Sequence, residues 1–378
     1  MPKIQMVDLR GQYKKIQSEV NSSIKACLKS ATFINGPKVQ EFQANLEKYL
    51  GVKHVIPCGN GTDALQVAMM AMGLKPGDEV IVPAFTYVAT VEVAVLLGLN
   101  PVLVDVDKDT FNITAEIIEQ AINVRTRAIV PVHLFGQSTD MEPLLKITSK
   151  YNIQIIEDNA QSIGAEYTFA DGTKAKTGTI GDVGCTSFYP SKNLGAYGDG
   201  GAMCTNNDEL ADKLRRIANH GQSEKYMHKY IGVNSRLDAI QAAVLDVKLK
   251  HLDEYNVARQ AVADYYDKAF EDVEHLQIPV RIRQSTHVFH QYTLIVKDGH
   301  RDALKTFLYE HGIPSMIYYP LTVSDQEAFR GRGRIVGDLP TSKLLCESVL
   351  SLPIHTEMNN DQLEYIVETV LAYFKQNE

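Results

Sequence analysis

CGNGTDALQ (residues 58–66) stands between an apolar run, Val52 to Pro57, and a segment whose apolar residues recur with helical spacing: Ala64, Leu65, Val67, Ala68, Met70 and Ala71. Gly59, Gly61 and Ala64 therefore spell G-x-G-x-x-A at a strand-to-helix junction. Small residues there let a ligand approach the free N–H groups of the first helical turn, and the helix dipole adds its positive end. Such a junction binds phosphate. A dinucleotide needs more, namely an acidic residue about 20 positions on, at the far end of the next strand, to hold a ribose. Asp78 and Glu79 have that separation but precede the strand Val80-Ile81-Val82, so the dinucleotide fingerprint fails on geometry.

Residues 52 to 206 alternate short β-rich runs with helical patterns. The strand candidates are His54–Pro57, Val80–Pro83, Pro101–Val106, Arg127–His133, Ile153–Glu157, Val183–Tyr189 and Ala202–Thr205. Helical patterns lie at Thr62–Met72, Thr86–Leu97, Thr114–Ala121 and Met141–Lys150. This alternation predicts an α/β fold: a large domain, residues 1–245, with a mostly parallel seven-stranded sheet between helices and an N-terminal helical segment. Ligands of such sheets bind beyond the carboxyl ends of the strands. A long helical stretch from Arg236 to about Phe270 then leads into strands at His290–Val296 and Ser315–Tyr319 and helices at Arg301–His311 and Asp361–Phe374. This second part predicts a smaller C-terminal α+β domain, residues 246–378. Ala170–Gly178 reads as an exposed excursion between strands.

A net charge of −8, from 38 Lys plus Arg against 46 Asp plus Glu, gives no general electrostatic reason to expect nucleic acid as a partner. No apolar run approaches the roughly 20 residues that span a bilayer, and MPKIQMVDLRGQ lacks the apolar core of a signal peptide. The expectation is a cytoplasmic protein without a membrane partner. Five scattered cysteines, with no C-x-x-C and no His at ligand spacing, read as reduced and buried thiols, with no metal site.

The strand Ile153–Glu157 runs into EDNAQ, which puts Asp158 and Gln161 at a carboxyl end. TSFYPSKNLGAYGDGGA (186–202) follows, with Lys192 among small and turn-forming residues. Singly these have plain readings: a solvated lysine, a strand-end cap, a turn. Together, a phosphate loop, a strand-end carboxylate and a loop lysine are the parts that pyridoxal phosphate requires. Its aldehyde needs an amine for a Schiff base, its ring nitrogen an anion to hold the proton, and its phosphate an N–H cradle.

The ordered set GTDAL, PAFTYVAT, IIEDNAQSIGA, TSFYPSKNLGAYGDGGA, NHGQ and GVNSRLDAIQAA resembles the sugar-nucleotide aminotransferases of the DegT/StrS type, within the aspartate aminotransferase fold. The resemblance runs from VDLRGQY to SLPIHT, nearly the whole chain. It implies that Lys192 is the Schiff-base lysine, that Asp158 pairs with the ring nitrogen, that Tyr87 stacks on the ring and that Gln161 lies near its O3′ side. It further implies phosphate contacts from Gly61, Thr62, Asp63 and Ser187, and from Asn234 of a neighbouring subunit, hence a homodimer with shared active sites. A branch of the family that dehydrates or deoxygenates sugars carries His at the position of Lys192, so the lysine favours amino transfer. By family habit L-glutamate is the donor. Pyridoxamine phosphate is the intermediate form of the cofactor, and a nucleotide-linked keto sugar is the acceptor. A non-catalytic regulator, the label of some relatives, would not need Lys192, Asp158 and Tyr87 together.

The motifs look closest to enzymes that aminate C3 of UDP-2-acetamido-3-keto-hexuronates for surface polysaccharide. Substrate contacts implied by that comparison are Arg236, His220, Tyr318 and Tyr319. Arg236 can grip a carboxylate in bidentate fashion or, equally well, form a salt bridge that caps the next helix. MIYYPLT carries Tyr318 where those relatives are expected to have His, which leaves open a 3-keto-6-deoxyhexose on dTDP or a 4-keto sugar.

Overall fold

The computed structural model describes residues 4–377; the outermost residues of the two expected domains, 1–3 and 378, lie outside the described residues. All seven expected strands of the large sheet form: β1 (His54–Cys58), β2 (Glu79–Pro83), β3 (Asn100–Val104), β4 (Thr126–Ile129), β5 (Gln154–Asp158), β8 (Val183–Ser187) and β9 (Gly201–Thr205). Between β5 and β8 the Gly-containing excursion is a small hairpin of β6 (Glu166–Thr168) and β7 (Lys174–Lys176), and after β9 a second short antiparallel pair forms from β10 (Gln222–Glu224) and β11 (Met227–His228). The strand order is β1-β9-β8-β5-β4-β2-β3, continued by β14 (Arg334–Ile335). β9 runs antiparallel to both its neighbours, and every other pairing in the sheet is parallel.

The strands read as nearly continuous apolar runs because both faces of the sheet are covered. Val80 and Val82 join one core cluster while Ile81 joins the other, and Ala128 and Val130 against Ile129 repeat the split. This two-residue alternation is the side-chain period of a strand with a helical layer on each side. Asp78 and Glu79 do stand at the start of β2. Glu79 is buried there against Arg125, Arg334 and Asn123, which explains an acidic residue at a strand start without a ribose.

Three expectations need correction. The sheet has eight strands, because Arg334–Ile335 from the later chain adds to the edge of β3. The stretch from Arg236 to Phe270 is two helices, Ala239–Leu249 and Leu252–Phe270, broken at Lys250 and His251, while Asp238 is extended and begins the first. Ser315–Tyr319 is no strand. Pro314 and Pro320 bracket it, a proline lacks the N–H that a ladder needs, and a single bridge, Met316 to Ser351, remains.

The later chain builds a second, antiparallel sheet, β12 (Leu276–Gln277), β13 (Tyr292–Val296) and β15 (Val349–Leu352), in the order β12-β13-β15. Its core takes Tyr266 and Phe270 from the helix Leu252–Phe270 and Ile366 and Val370 from the last helix, Asn360–Asn377. Among the described residues no helix is long and apolar enough to cross a membrane.

Candidate active site

A cavity of about 840 Å³ opens at the carboxyl ends of the parallel strands. It gathers Gly61, Thr62 and Asp63 from the first turn of the helix Gly61–Ala71, Thr86 and Tyr87 beyond β2, Asp158 at the end of β5 with Gln161 just past it, and Ser187 at the end of β8 with Lys192 beyond it. His290, Gln291, Tyr318 and Tyr319 reach it from the later chain.

The helix Gly61–Ala71 begins at Asn60, whose side chain accepts a hydrogen bond from Asp63 N at 2.8 Å. Capping leaves the amides of the first helical residues, Gly61 and Thr62, without intrahelical partners, directed at the cavity end of the helix. Gly61 is required for a steric reason. A Cβ built there would stand 2.7 Å from Ser187 Cβ, so only glycine lets the helix start lie this close to the end of β8. Ser235 Oγ fastens the loop by accepting from Gly59 N at 2.9 Å and donating to Asp63 Oδ2 at 2.6 Å. Asp63 thus spends its amide on Asn60 and its carboxylate on Ser235, and within this chain it shapes the cradle.

Asp158 is buried. Its Oδ2 accepts from Thr90 Oγ1 at 2.8 Å and its Oδ1 from Ala160 N at 3.1 Å. Burial pushes the Asp158 carboxyl above its ordinary range, while these two donors and the Lys192 amine pull it back. Lys192 shows the opposite effect: desolvation lowers its amine to about 8, with Asp158 resisting the fall. Gln161 is held on both sides, accepting from Phe135 N at 2.8 Å and donating to Tyr319 Oη at 3.2 Å. Tyr87 is 58% exposed at the mouth, its ring centroid 6.3 Å from that of Tyr319.

Two further lining residues, His290 and Thr86, are not among those the sequence singles out. His290 is buried, burial with the Lys192 and Arg259 charges holds it well below its ordinary range, and its Nδ1 finds no partner among the described residues. Thr86 Oγ1 is also buried and, among the described residues, has no hydrogen-bond partner. The polar pair His290-Gln291 directly ahead of an all-buried strand was the available hint. Three expected site residues do not line this chain's cavity: Asn234 and His220 are exposed, and Arg236 donates to Asn219 Oδ1 at 2.9 Å.

A model described as the DegT/DnrJ/EryC1/StrS aminotransferase family matches residues 14–371. The chain belongs to this family. It is 42% identical over 363 residues to the UDP-2-acetamido-2-deoxy-3-oxo-D-glucuronate aminotransferase of Pseudomonas aeruginosa, with 96% of this chain and 98% of that one covered. It is 41% identical to the pleiotropic regulatory protein of Geobacillus stearothermophilus (98% and 99% covered). To the dTDP-3-amino-3,4,6-trideoxy-alpha-D-glucose transaminase of Streptomyces venezuelae it is 37% identical (98% and 96%). A solved aminotransferase of the family from Brucella abortus superimposes with a TM-score of 0.93 at 41% identity, covering 98% of this chain and 99% of that one. The Bacillus subtilis protein NtdA, solved with bound cofactor PMP, does so with a TM-score of 0.88 at 28% identity (99% and 85%).

This member of the family is a sugar-nucleotide aminotransferase, and its cofactor is pyridoxal phosphate. The residues present fit that group. Gly61 keeps open a cradle that a Cβ would fill, the free amides and the hydroxyls of Thr62 and Ser187 suit its phosphate, and Asp158 and Lys192 offer a buried anion and an amine with a lowered pKa in one cavity.

Proposed function

We propose that the enzyme moves the amino group of L-glutamate to the C3 keto group of a UDP-2-acetamido-3-keto-hexuronate. It works in the cytoplasm, in the making of a surface polysaccharide such as a lipopolysaccharide O-antigen. The observation that carries amino transfer is the meeting of Lys192 and Asp158 in one cavity with the Gly61–Ser187 cradle. The bound cofactor supplies an electron sink for carbanion chemistry. Asp158 would hold a proton on the ring nitrogen by its charge. Lys192 would hold the cofactor's aldehyde through its Nζ and, when that amine is free, would hold or move a proton there; an amine near 8 suits a group that must act as base and then acid. Both substrates use one site in turn, so ping-pong kinetics follow.

The division into residues 1–245 and 246–378 belongs to this reading: the first holds the cofactor and the second closes the site with His290, Tyr318 and Tyr319. The homodimer also belongs to it, and charge supports it. Asp63, Asp158 and Asp199 line the cavity, against Lys192 and a His290 held uncharged. An anionic substrate needs cations from elsewhere. Arg236, Asn234 and His220 lie on the chain's surface beside exposed Tyr226, Met227 and Ile231, which suits donation of these groups to a second copy.

The uronate acceptor is favoured by the 42% relative and by an Arg236 whose hydrogen-bond partner here is a neutral amide. Tyr318 and the 37% relative support the second reading, a dTDP-3-keto-6-deoxyhexose or a 4-keto sugar. Single-turnover spectroscopy of each half-reaction with Arg236→Leu separates the two. A uronate carboxylate on Arg236 predicts a roughly ten- to more than hundredfold loss of kcat/KM in the acceptor half. Loss confined to the glutamate half favours an acceptor without a carboxylate. If Tyr318 serves in place of His as a hydrogen-bonding group, Tyr318→His should retain activity on a UDP-3-keto-uronate.

A further inference from the structure

Lys248, on the helix Ala239–Leu249, is 1% exposed. Burial alone moves its amine, down to about 8. A buried ammonium without a counter-ion is costly. What it reaches is the loop that carries Lys192. Lys248 Nζ donates to Gly195 O at 2.7 Å and lies 4.5 Å from the centroid of the Tyr197 ring. The ring face and the carbonyl are the two kinds of neutral group that can stabilise such a cation.

That loop is closed on itself. Lys192 N donates to Tyr189 O at 2.8 Å and Ala196 N to Phe188 O at 2.8 Å. Gly195 lies so tightly against Pro190 that a Cβ would fall 2.2 Å from Pro190 O. Lys192 therefore sits at the bend and Gly195 at the base. The same helix grips the return leg a second time: Gln241 Oε1 accepts from Tyr197 N at 2.8 Å, and Gln241 Nε2 donates to Tyr197 O at 3.4 Å. On its other side Tyr197 meets Tyr13 edge to face at 6.0 Å.

We propose that Lys248 is a positioning residue for Lys192: by holding the Gly195 carbonyl and the Tyr197 ring, it sets where the loop presents the Lys192 amine to the cavity. The consequence for turnover rests on the reading of Lys192 as the cofactor-bonding lysine; the hold on the loop does not.

Two measurements on the full-length enzyme test it. Hydrogen exchange should find the amides of Ala196 and Tyr197 protected like those of the helix Ala239–Leu249. Exchange at the rate of an open loop in the wild type overturns the proposal, with no variant needed. Lys248→Met keeps the apolar stem and removes donor and charge, while Lys248→Arg keeps both. In Lys248→Met those amides should exchange at least about tenfold faster. kcat for the glutamate half-reaction should fall about ten- to a hundredfold, the scale of one lost hydrogen bond to a charged group, with KM moving less than about threefold. Lys248→Arg should recover most of the loss. A folded Lys248→Met with wild-type kcat and loop protection, or a Lys248→Arg no better than Lys248→Met, overturns it. A wild-type protein from which borohydride captures no cofactor would instead sink the aminotransferase reading and leave the exchange result to judge Lys248 separately.

Discussion

Thr90 Oγ1 donates to Asp158 Oδ2 at 2.8 Å where both side chains are buried, so the carboxylate at the end of β5 is tuned by a hydroxyl from the helix Ala89–Leu96. The hydrogen bond favours the charged form against desolvation. Thr90→Val should therefore let the protonated form of Asp158 persist to higher pH. The acidic limb of the glutamate half-reaction should move upward and kcat should fall about tenfold, with Thr90→Ser close to wild type. Asp158→Asn, which removes the charge altogether, should cost on the order of 10²- to 10³-fold. A pH–rate profile for each variant checks both.

Lys192→Ala should abolish covalent capture of the cofactor by borohydride and bleach the yellow of the purified enzyme. Only the free amine attacks an aldehyde, and burial lowers this amine to about 8. The rate at which protein stripped of cofactor takes up pyridoxal phosphate should therefore climb as pH rises through about 8 and level off above it. Stopped-flow absorbance follows this directly.

Gly61→Ala places a methyl group 2.7 Å from Ser187 Cβ, and one side of the cradle must give. Affinity for pyridoxal phosphate should drop about tenfold or more, in the range of an overpacked contact. Ser187→Gly removes the nearest atom that is struck, so Gly61→Ala should cost less affinity in a Ser187→Gly background than in the wild type if sterics are the cause. Equilibrium titration of the four proteins decides it.

Asn234→Ala and Lys192→Ala, each impaired alone, should complement after subunit exchange. Random mixing makes half the dimers hybrid, and one of the two sites in each hybrid contains both native residues. Activity should approach about a quarter of wild type. An active enzyme that sediments as a monomer would rule out shared sites.

The large sheet was legible because β1 to β5, β8 and β9 are apolar runs with turn residues between them, and burial on both faces enforces that composition. β14 left no such trace: Arg334 and Ile335 lie in RGRGRIVG, and their pairing depends on where the later chain returns. Gly61, Asp158 and Lys192 could be read because each has a chemistry that few residue types supply. His290 and Thr86 could not, since a lone histidine or threonine next to a strand has many structural uses, and only the folded chain turns these two toward a cavity. The break at Lys250 and His251 was hidden for a related reason: no proline or glycine marks it.

Arg334 and Ile335 pair with Val102 and Leu103, so the outer rim of an apolar strand, NPVLV, is covered by residues that follow it by more than 200 positions. An uncovered strand of this kind is a template on which another chain can pair. During synthesis β3 emerges long before its cover, and for that interval the growing chain carries an adhesive border in a crowded cell. Two residues from the later chain close that border, so a full-length chain in which this pairing is broken should aggregate more readily than the wild type.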